Sequence, residues 1–145
     1  FERITPENLA QCWEMNREWC KLHGCAKDES LHKEACAVKE AFDHFEDLGM
    51  IGGLLRIEDR VVAYTMGSRI THDTFDVQIE KAFADVQGAY PMINQQFVIH
   101  EMEDFKYVNR EDDAGEEGLR KSKLSYRPVF MVDKGVLRLK SEVKN

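Results

Sequence analysis

Apolar positions recur first at helical spacing. Leu9, Cys12, Trp13, Met15 and Trp19 repeat behind Thr5-Pro6-Glu7, which offers an N-cap, a first-turn proline and an acid facing the positive helix end. The pattern predicts a helix from Pro6 to Leu22. Ser30 then caps a second run with Leu31, Ala35, Val38, Phe42, Phe45 and Leu48 on one face, and Gly49 stands where a left-handed turn ends a helix.

From Met50 the period shortens. Ile51 to Ile57 and Arg60 to Gly67, joined by Glu58-Asp59, predict an antiparallel hairpin, and Asp76 to Phe83 alternates as a third strand. After the Ala84–Gly88 loop, Pro91 through Met102 returns to helical spacing, and Lys106 to Asn109 suits a short buried strand. Strand, glycine-containing loop, helix and strand within about thirty residues predict a right-handed βαβ unit with parallel strands. An acidic loop Arg110 to Gly115, a helix Glu116–Leu124 and a closing hairpin of Arg127–Val132 with Val136–Leu139 complete the order ααβββαβαββ. The expected fold is α/β, a mixed β-sheet with helices on both faces. No repeat or proline-rich linker interrupts it, so residues 1–145 are expected to form a single domain. Because Phe1 takes the place of a start methionine and helix-like sequence follows at once, an upstream domain of a longer protein is also expected.

Charge narrows the function classes. The 145 residues hold 20 Lys+Arg against 27 Asp+Glu, a formal net charge of −7. Arg120, Lys121, Lys123, Arg127, Lys134, Arg138, Lys140 and Lys144 crowd residues 119–145, where only Asp133 and Glu142 oppose them. This basic end can meet an anionic group such as a nucleotide phosphate, whereas the acidic remainder repels duplex nucleic acid. Apolar stretches fall short of the ~18 to 20 residues of a membrane span and no basic-then-apolar leader opens the chain, so a cytoplasmic protein without a membrane span is expected. Cys12, Cys20, Cys25 and Cys36 form no CxxC pair and are expected as reduced structural thiols, with no metal site. HExxH, GxxxxGK[ST] and GxGxxG are absent, which removes support for zinc proteolysis and P-loop phosphoryl transfer.

In such a sheet a ligand crevice opens at the carboxyl end of the parallel strands. Gln87, Gly88, Ala89 and Tyr90 lie in the first loop at that edge, where Gly88 permits close approach and the amides opening a helix can hold an anion. In the second loop, Asn109 can orient a carbonyl, and Glu111 or Asp112 can accept a proton from an amine nucleophile. Arg110 is grouped with them, and Arg120, Lys121 and Lys123 are possible anion contacts. The same acids also suit a helix N-terminus, with Arg120 or Lys121 pairing to them. Glu80 and Lys81 end the third strand beside this crevice, on opposite faces.

The words Gly52-Gly53-Leu54-Leu55-Arg56, Gly88-Ala89-Tyr90-Pro91-Met92-Ile93-Asn94-Gln95, Tyr107-Val108-Asn109-Arg110-Glu111-Asp112 and Gly118-Leu119-Arg120-Lys121-Ser122-Lys123-Leu124-Ser125-Tyr126-Arg127-Pro128 resemble a known group. It comprises the bacterial, functionally unassigned proteins grouped with the C-terminal domain of phosphatidylglycerol lysyltransferase, within the GNAT acyltransferase superfamily. The likeness is strong from Gly49 to Lys140 and looser over the leading helices. It implies acyl transfer from acyl-CoA or an aminoacyl-tRNA, used as a co-substrate and not tightly bound, to an amine or hydroxyl. It also implies an upstream GNAT-like half. By position, Gln87 to Tyr90 would take the pyrophosphate loop's place, and the splayed end of the Ile79 strand would receive the acyl carbonyl. Asp85 stands where the superfamily has a basic or amide residue, Tyr90 where it has a small one, and Lys121 near its usual tyrosine acid, with Tyr126 left as a packing residue. The other expectation compatible with these departures is a non-catalytic module that binds a ligand or braces the upstream domain.

Overall fold

The first strand is one that periodicity does not reveal. In the computed structural model, which describes residues 1–139, Glu2–Arg3 (β1) pairs antiparallel with Ile51–Ile57 (β2). The Glu2 carboxylate accepts from Arg56 Nε at 2.6 Å and Nη2 at 3.0 Å, which lowers its pKa. Phe1 stacks on His100 with ring centroids 4.9 Å apart. Long-range partners hold this segment, so its two residues carry no local signal.

Helix α1 (Pro6–His23) starts where the cap predicts, with the Thr5 N–H donating to Asn8 Oδ1 at 2.8 Å. Gly24 ends it in the left-handed region at φ 71°, turning the chain so that Cys20 and Cys25 come within 5.1 Å at Cα and are joined by a disulfide. That corrects the expectation of reduced thiols for this pair. Cys12 remains a core thiol, its pKa pushed up to about 12 by burial. Helix α2 (Glu29–Asp43) starts two residues earlier than predicted, because Asp28 accepts the Leu31 N–H at 2.9 Å and Ser30 falls inside the first turn. It ends at Asp43, and Gly49 (φ 60°) closes a separate run of turns ahead of β2.

Strands β2, β3 (Arg60–Arg69) and β4 (Thr74–Ala82) form the expected meander, followed by α3 (Ala89–Glu101), β5 (Tyr107–Asn109) and α4 (Glu117–Ser125). The sheet order is β1-β2-β3-β4-β5, antiparallel except for the parallel β4/β5 pair. Val62, Tyr64 and Met66 pack beneath Cys12, Met15, Val38 and Phe42 of α1 and α2, while Ala63, Ala82, Phe75 and Val77 pack beneath Ile93 and Phe97 of α3. The mixed α/β architecture with helices on both faces is therefore present.

The order departs from expectation at the C-terminal end. Residues 127–139 contain no strand, and Val129, Met131, Val136 and Leu137 are 81%, 74%, 81% and 101% exposed. Two short strands gain stability only by joining a sheet or packing on a helix, which alternation within the segment does not guarantee. Tyr126, expected to pack, is 42% exposed for the same reason. Lys140, Glu142 and Lys144 lie outside the described residues. The chain divides into two compact units, Phe1–Glu111 and the residues from Asp112 onward.

A β-bulge sets the geometry of the larger unit. Met66 pairs with Ile79 but Gly67 with Val77, so Gln78 is the extra residue. At the bulge the strands come so close that a Cβ on Gly67 would sit 1.8 Å from the Asp76 carbonyl oxygen. Gly67→Ala is expected to lower unfolding free energy by about 1–3 kcal/mol or more in urea titrations, through forced backbone displacement. An unchanged midpoint would mean that the bulge yields freely.

Candidate functional site

Beyond the bulge, β4 continues without its parallel neighbour. The β4/β5 register covers Thr74–Tyr107, Phe75–Val108 and Asp76–Asn109; β5 then ends while β4 runs on to Ala82. The strands part at Asp76 and Asn109, and no strand among the described residues pairs β4 on that side afterwards. The extra residue also resets which side chains share a face. Glu80 and Ala82 join the α3 side, whereas Ile79, Lys81 and Phe83 face α1 and α2.

Glu80 is the centre of a polar cluster in the gap. One carboxylate oxygen accepts from Arg110 Nη2 at 2.8 Å and the other from Asn94 Nδ2 at 3.3 Å. Side-chain exposures of 14% for Glu80 and 21% for Arg110 place the pair largely out of water, where its attraction is stronger than on a surface. Arg110 is the first residue past β5 and Asn94 lies on α3, so the carboxylate ties together three elements that leave the parting point. Asn94 and the buried Asp76 were not among the expected residues. A polar residue on the buried face of a helix, between Ile93 and Phe97, is the signal that could have identified Asn94.

Asn109 and Glu111 shape the exit from β5. Asn109 Oδ1 accepts the Glu111 N–H at 2.9 Å, an Asx-type turn that holds Glu111 at φ 58°. The Asn109 oxygen is thus committed to directing the chain, and Glu111 is exposed.

Gln87, Gly88, Ala89 and Tyr90 open α3 at the same end of β4. Gly88 has φ 81°, and a methyl group there would meet nothing within 4 Å, so the position needs glycine and the space above it is open. Ala89 N–H donates back to the Val86 carbonyl at 3.1 Å and Pro91 has no N–H, while those of Gly88 and Tyr90 have no backbone acceptor among the described residues. No Lys or Arg occurs between Ala82 and Phe105, so within this stretch the positive character comes from two amides and the helix dipole. Asn94 follows Gly88 by six residues, about 9 Å along the helix.

Asp112, Arg120, Lys121 and Lys123 belong to the second unit. Asp112 Oδ1 accepts the Ala114 N–H at 2.9 Å and Oδ2 lies 3.3 Å from Lys134 Nζ, interactions that lower its pKa in that order. Asp113 accepts from Arg120 Nε at 2.5 Å and from the Gly115 N–H at 2.9 Å, and its carboxyl pKa falls to about 2, chiefly through Arg120. Lys123 Nζ donates to the Asp112 carbonyl at 2.6 Å. The acidic loop therefore anchors the start of α4, and Arg120 and Lys123 are used in that anchoring. Among the described residues no group of His, Cys, Asp and Glu is placed to hold a metal, and no helix is long and apolar enough to cross a membrane.

Comparisons with known proteins agree on the architecture. The family described as phosphatidylglycerol lysyltransferase, C-terminal, matches residues 1–134. A conserved protein of unknown function from Bacteroides thetaiotaomicron is 44% identical, with a TM-score of 0.84 over 89% of this chain; the chain spans 44% of that protein. A ribosomal-protein-alanine N-acetyltransferase from Brucella melitensis biovar Abortus has a TM-score of 0.64 at 10% identity, covering 94% of this chain and 97% of that one. AAC(6')-Iy, solved in complex with the bisubstrate analogue CoA-S-monomethyl-acetylneamine, has a TM-score of 0.59 at 6% identity, covering 96% and 95% of the respective chains. These distant likenesses show a GNAT fold. No functionally curated protein matches the chain.

Two outcomes follow from the site. A double-mutant cycle on Glu80→Ala and Arg110→Ala should give a coupling of about 1–3 kcal/mol in denaturant unfolding; additive losses would show that the pair holds nothing together. The Asp113 carboxyl should titrate by NMR near pH 2, and in Arg120→Ala its midpoint should move towards the ordinary 3.8. Since the folded pKa is the depressed one, the anchoring it supplies is complete above the unfolded value and is lost as pH falls towards about 2. An unchanged midpoint in Arg120→Ala would remove Arg120 as its cause.

Proposed function

The chain belongs to the phosphatidylglycerol lysyltransferase C-terminal family, and from that membership we propose that it is an acyl- or aminoacyltransferase domain, moving an acyl group from a carrier to an amine or hydroxyl acceptor. The observation that supports this most is the parting of β4 and β5 after Asp76 and Asn109, with the open Gly88 helix start at the same end of β4. In this reading the carrier's phosphate end meets the Gly88 and Tyr90 amides. The acyl carbonyl lodges along the unpaired side of β4, where main-chain donors stabilise the developing oxyanion.

The acceptor's nitrogen or oxygen forms the new bond to the carbonyl carbon, and the carrier's C–S or C–O ester bond breaks. The acceptor's proton passes to Glu111, which releases it to solvent, and the leaving thiolate or alkoxide takes a proton back from solvent. Glu80, Arg110 and Asn94 act as positioning residues that fix the exit from β5 and hence Asn109 and Glu111. Asp112, Arg120, Lys121 and Lys123 have no part in this step. The CoA analogue bound by AAC(6')-Iy favours an acyl-CoA donor, while Asp85 opposes a pyrophosphate nearby and favours the less charged ester end of an aminoacyl-tRNA. Because the chain spans 44% of the Bacteroides protein, the whole protein's activity and substrates belong to the same proposal.

Thermal unfolding with acetyl-CoA, CoA and an aminoacyl-tRNA pool tests this reading. One of them at 100 times its Kd should add about 2.7 kcal/mol of stability, and Gly88→Ala, which puts a methyl group into the open space, should reduce the gain while lowering the unliganded midpoint through its strain at φ 81°. The absence of a shift with every carrier would contradict the proposal and leave a non-catalytic module.

A further inference from the structure

Lys81 carries its charge into the protein on the β4 face opposite Glu80. Its side chain is 9% exposed, and Nζ lies 3.9 Å from the centroid of the Trp19 ring. A buried ammonium needs a counter-charge, which Glu34 of α2 supplies. The Glu34 side chain is 48% exposed, so this carboxylate reaches inward from the surface.

The surroundings hold more donors than Glu34 satisfies. Trp19 is 7% exposed, and its indole Nε1 is buried with no acceptor among the described residues. An indole N–H in such a place ordinarily has a partner. Asn16 is 3% exposed and uses Oδ1 to accept the Tyr64 hydroxyl at 2.8 Å, which leaves its NH2 as a donor. Burial holds Tyr64 well above its ordinary pKa, so the hydroxyl keeps its proton for that bond. Asn16, Trp19, Glu34 and Lys81 line one pocket, floored by Leu31 and Val38, and with Glu34 seated it has no room for a water molecule.

We propose that this pocket is a binding site for a small monocarboxylate, and that Glu34 occupies it as an internal stand-in which the ligand displaces. One ammonium balances one negative charge, so a carboxylate leaves the pocket neutral whereas sulfate or phosphate dianions do not. Two carboxylate oxygens offer enough lone pairs for the ammonium and the indole N–H together, and the apolar floor suits a short aliphatic stem. Glu34 can swing into solvent because its side chain is already half exposed. The inference does not depend on the transferase reading, since none of these residues has a role there.

The test follows the Trp19 indole proton by NMR, assigned through Trp19→Phe, during titration with sodium propionate. Sodium chloride and sodium sulfate at equal ionic strength are the controls. Propionate should shift the Trp19 indole signal saturably, with at least tenfold tighter binding in Glu34→Gln, where the competing carboxylate is gone. Lys81→Met should lose the response. Glu34 lies on the exposed side of α2, so Glu34→Gln is the variant on which the result rests; its thermal midpoint should rise with propionate. No saturable shift in Glu34→Gln, or an equal shift with chloride or sulfate, would overturn the proposal.

Discussion

The larger unit depends on the close approach of β3 and β4 at Gly67. There the Asp76 carbonyl occupies the space a side chain would need, and Gln78 is extruded as a bulge. A bulge bends and twists its strand, and this one lies two residues past the last position at which β4 pairs with β5 on its way to Ala82. The Thr65 hydroxyl donates to the Ile79 carbonyl at 3.1 Å directly after the bulge, re-securing β4 to β3 while its other side stays unpaired. The gap between β4 and β5 is thus an outcome of how β4 is held on the side away from it.

The same bulge assigns the side chains. Without the extra residue, Glu80 would lie on the opposite face from Phe75 and Val77; with it, Glu80 joins them on the α3 side and meets Asn94 and Arg110. Lys81 is correspondingly turned under α1 and α2, where Trp19 and Glu34 receive it. One backbone irregularity separates two charged neighbours into two environments, each with its own partners.

Much of the fold was legible because its signals are local. Thr5-Pro6, the Glu58-Asp59 turn and the βαβ order with Gly88 each place an element within a few residues of where it lies. The elements that escaped, β1 and the end of α2, depend on Arg56, His100 and a run of turns rather than on periodicity. The closing hairpin failed in the opposite direction: Val129 to Val132 has strand character but nothing in its own sequence provides a sheet to join. At the site, the opposite facing of Glu80 and Lys81 follows from alternation, yet the Glu80–Arg110 pair spans thirty residues and Asn94 comes from a third element. Such convergence is not written in any one window of sequence.

In the proposed transferase reading the parted strands and the start of α3 form one ligand site, with Gly88 and Tyr90 presenting their amides to the carrier. Backbone amide NMR during titration with acetyl-CoA and with an aminoacyl-tRNA pool examines that point most directly. One carrier is expected to move the Gly88 and Tyr90 N–H signals together with those of Ile79 to Ala82, saturably and at a common Kd. Shifts absent from these residues, or confined to the α1 and α2 face, would contradict it.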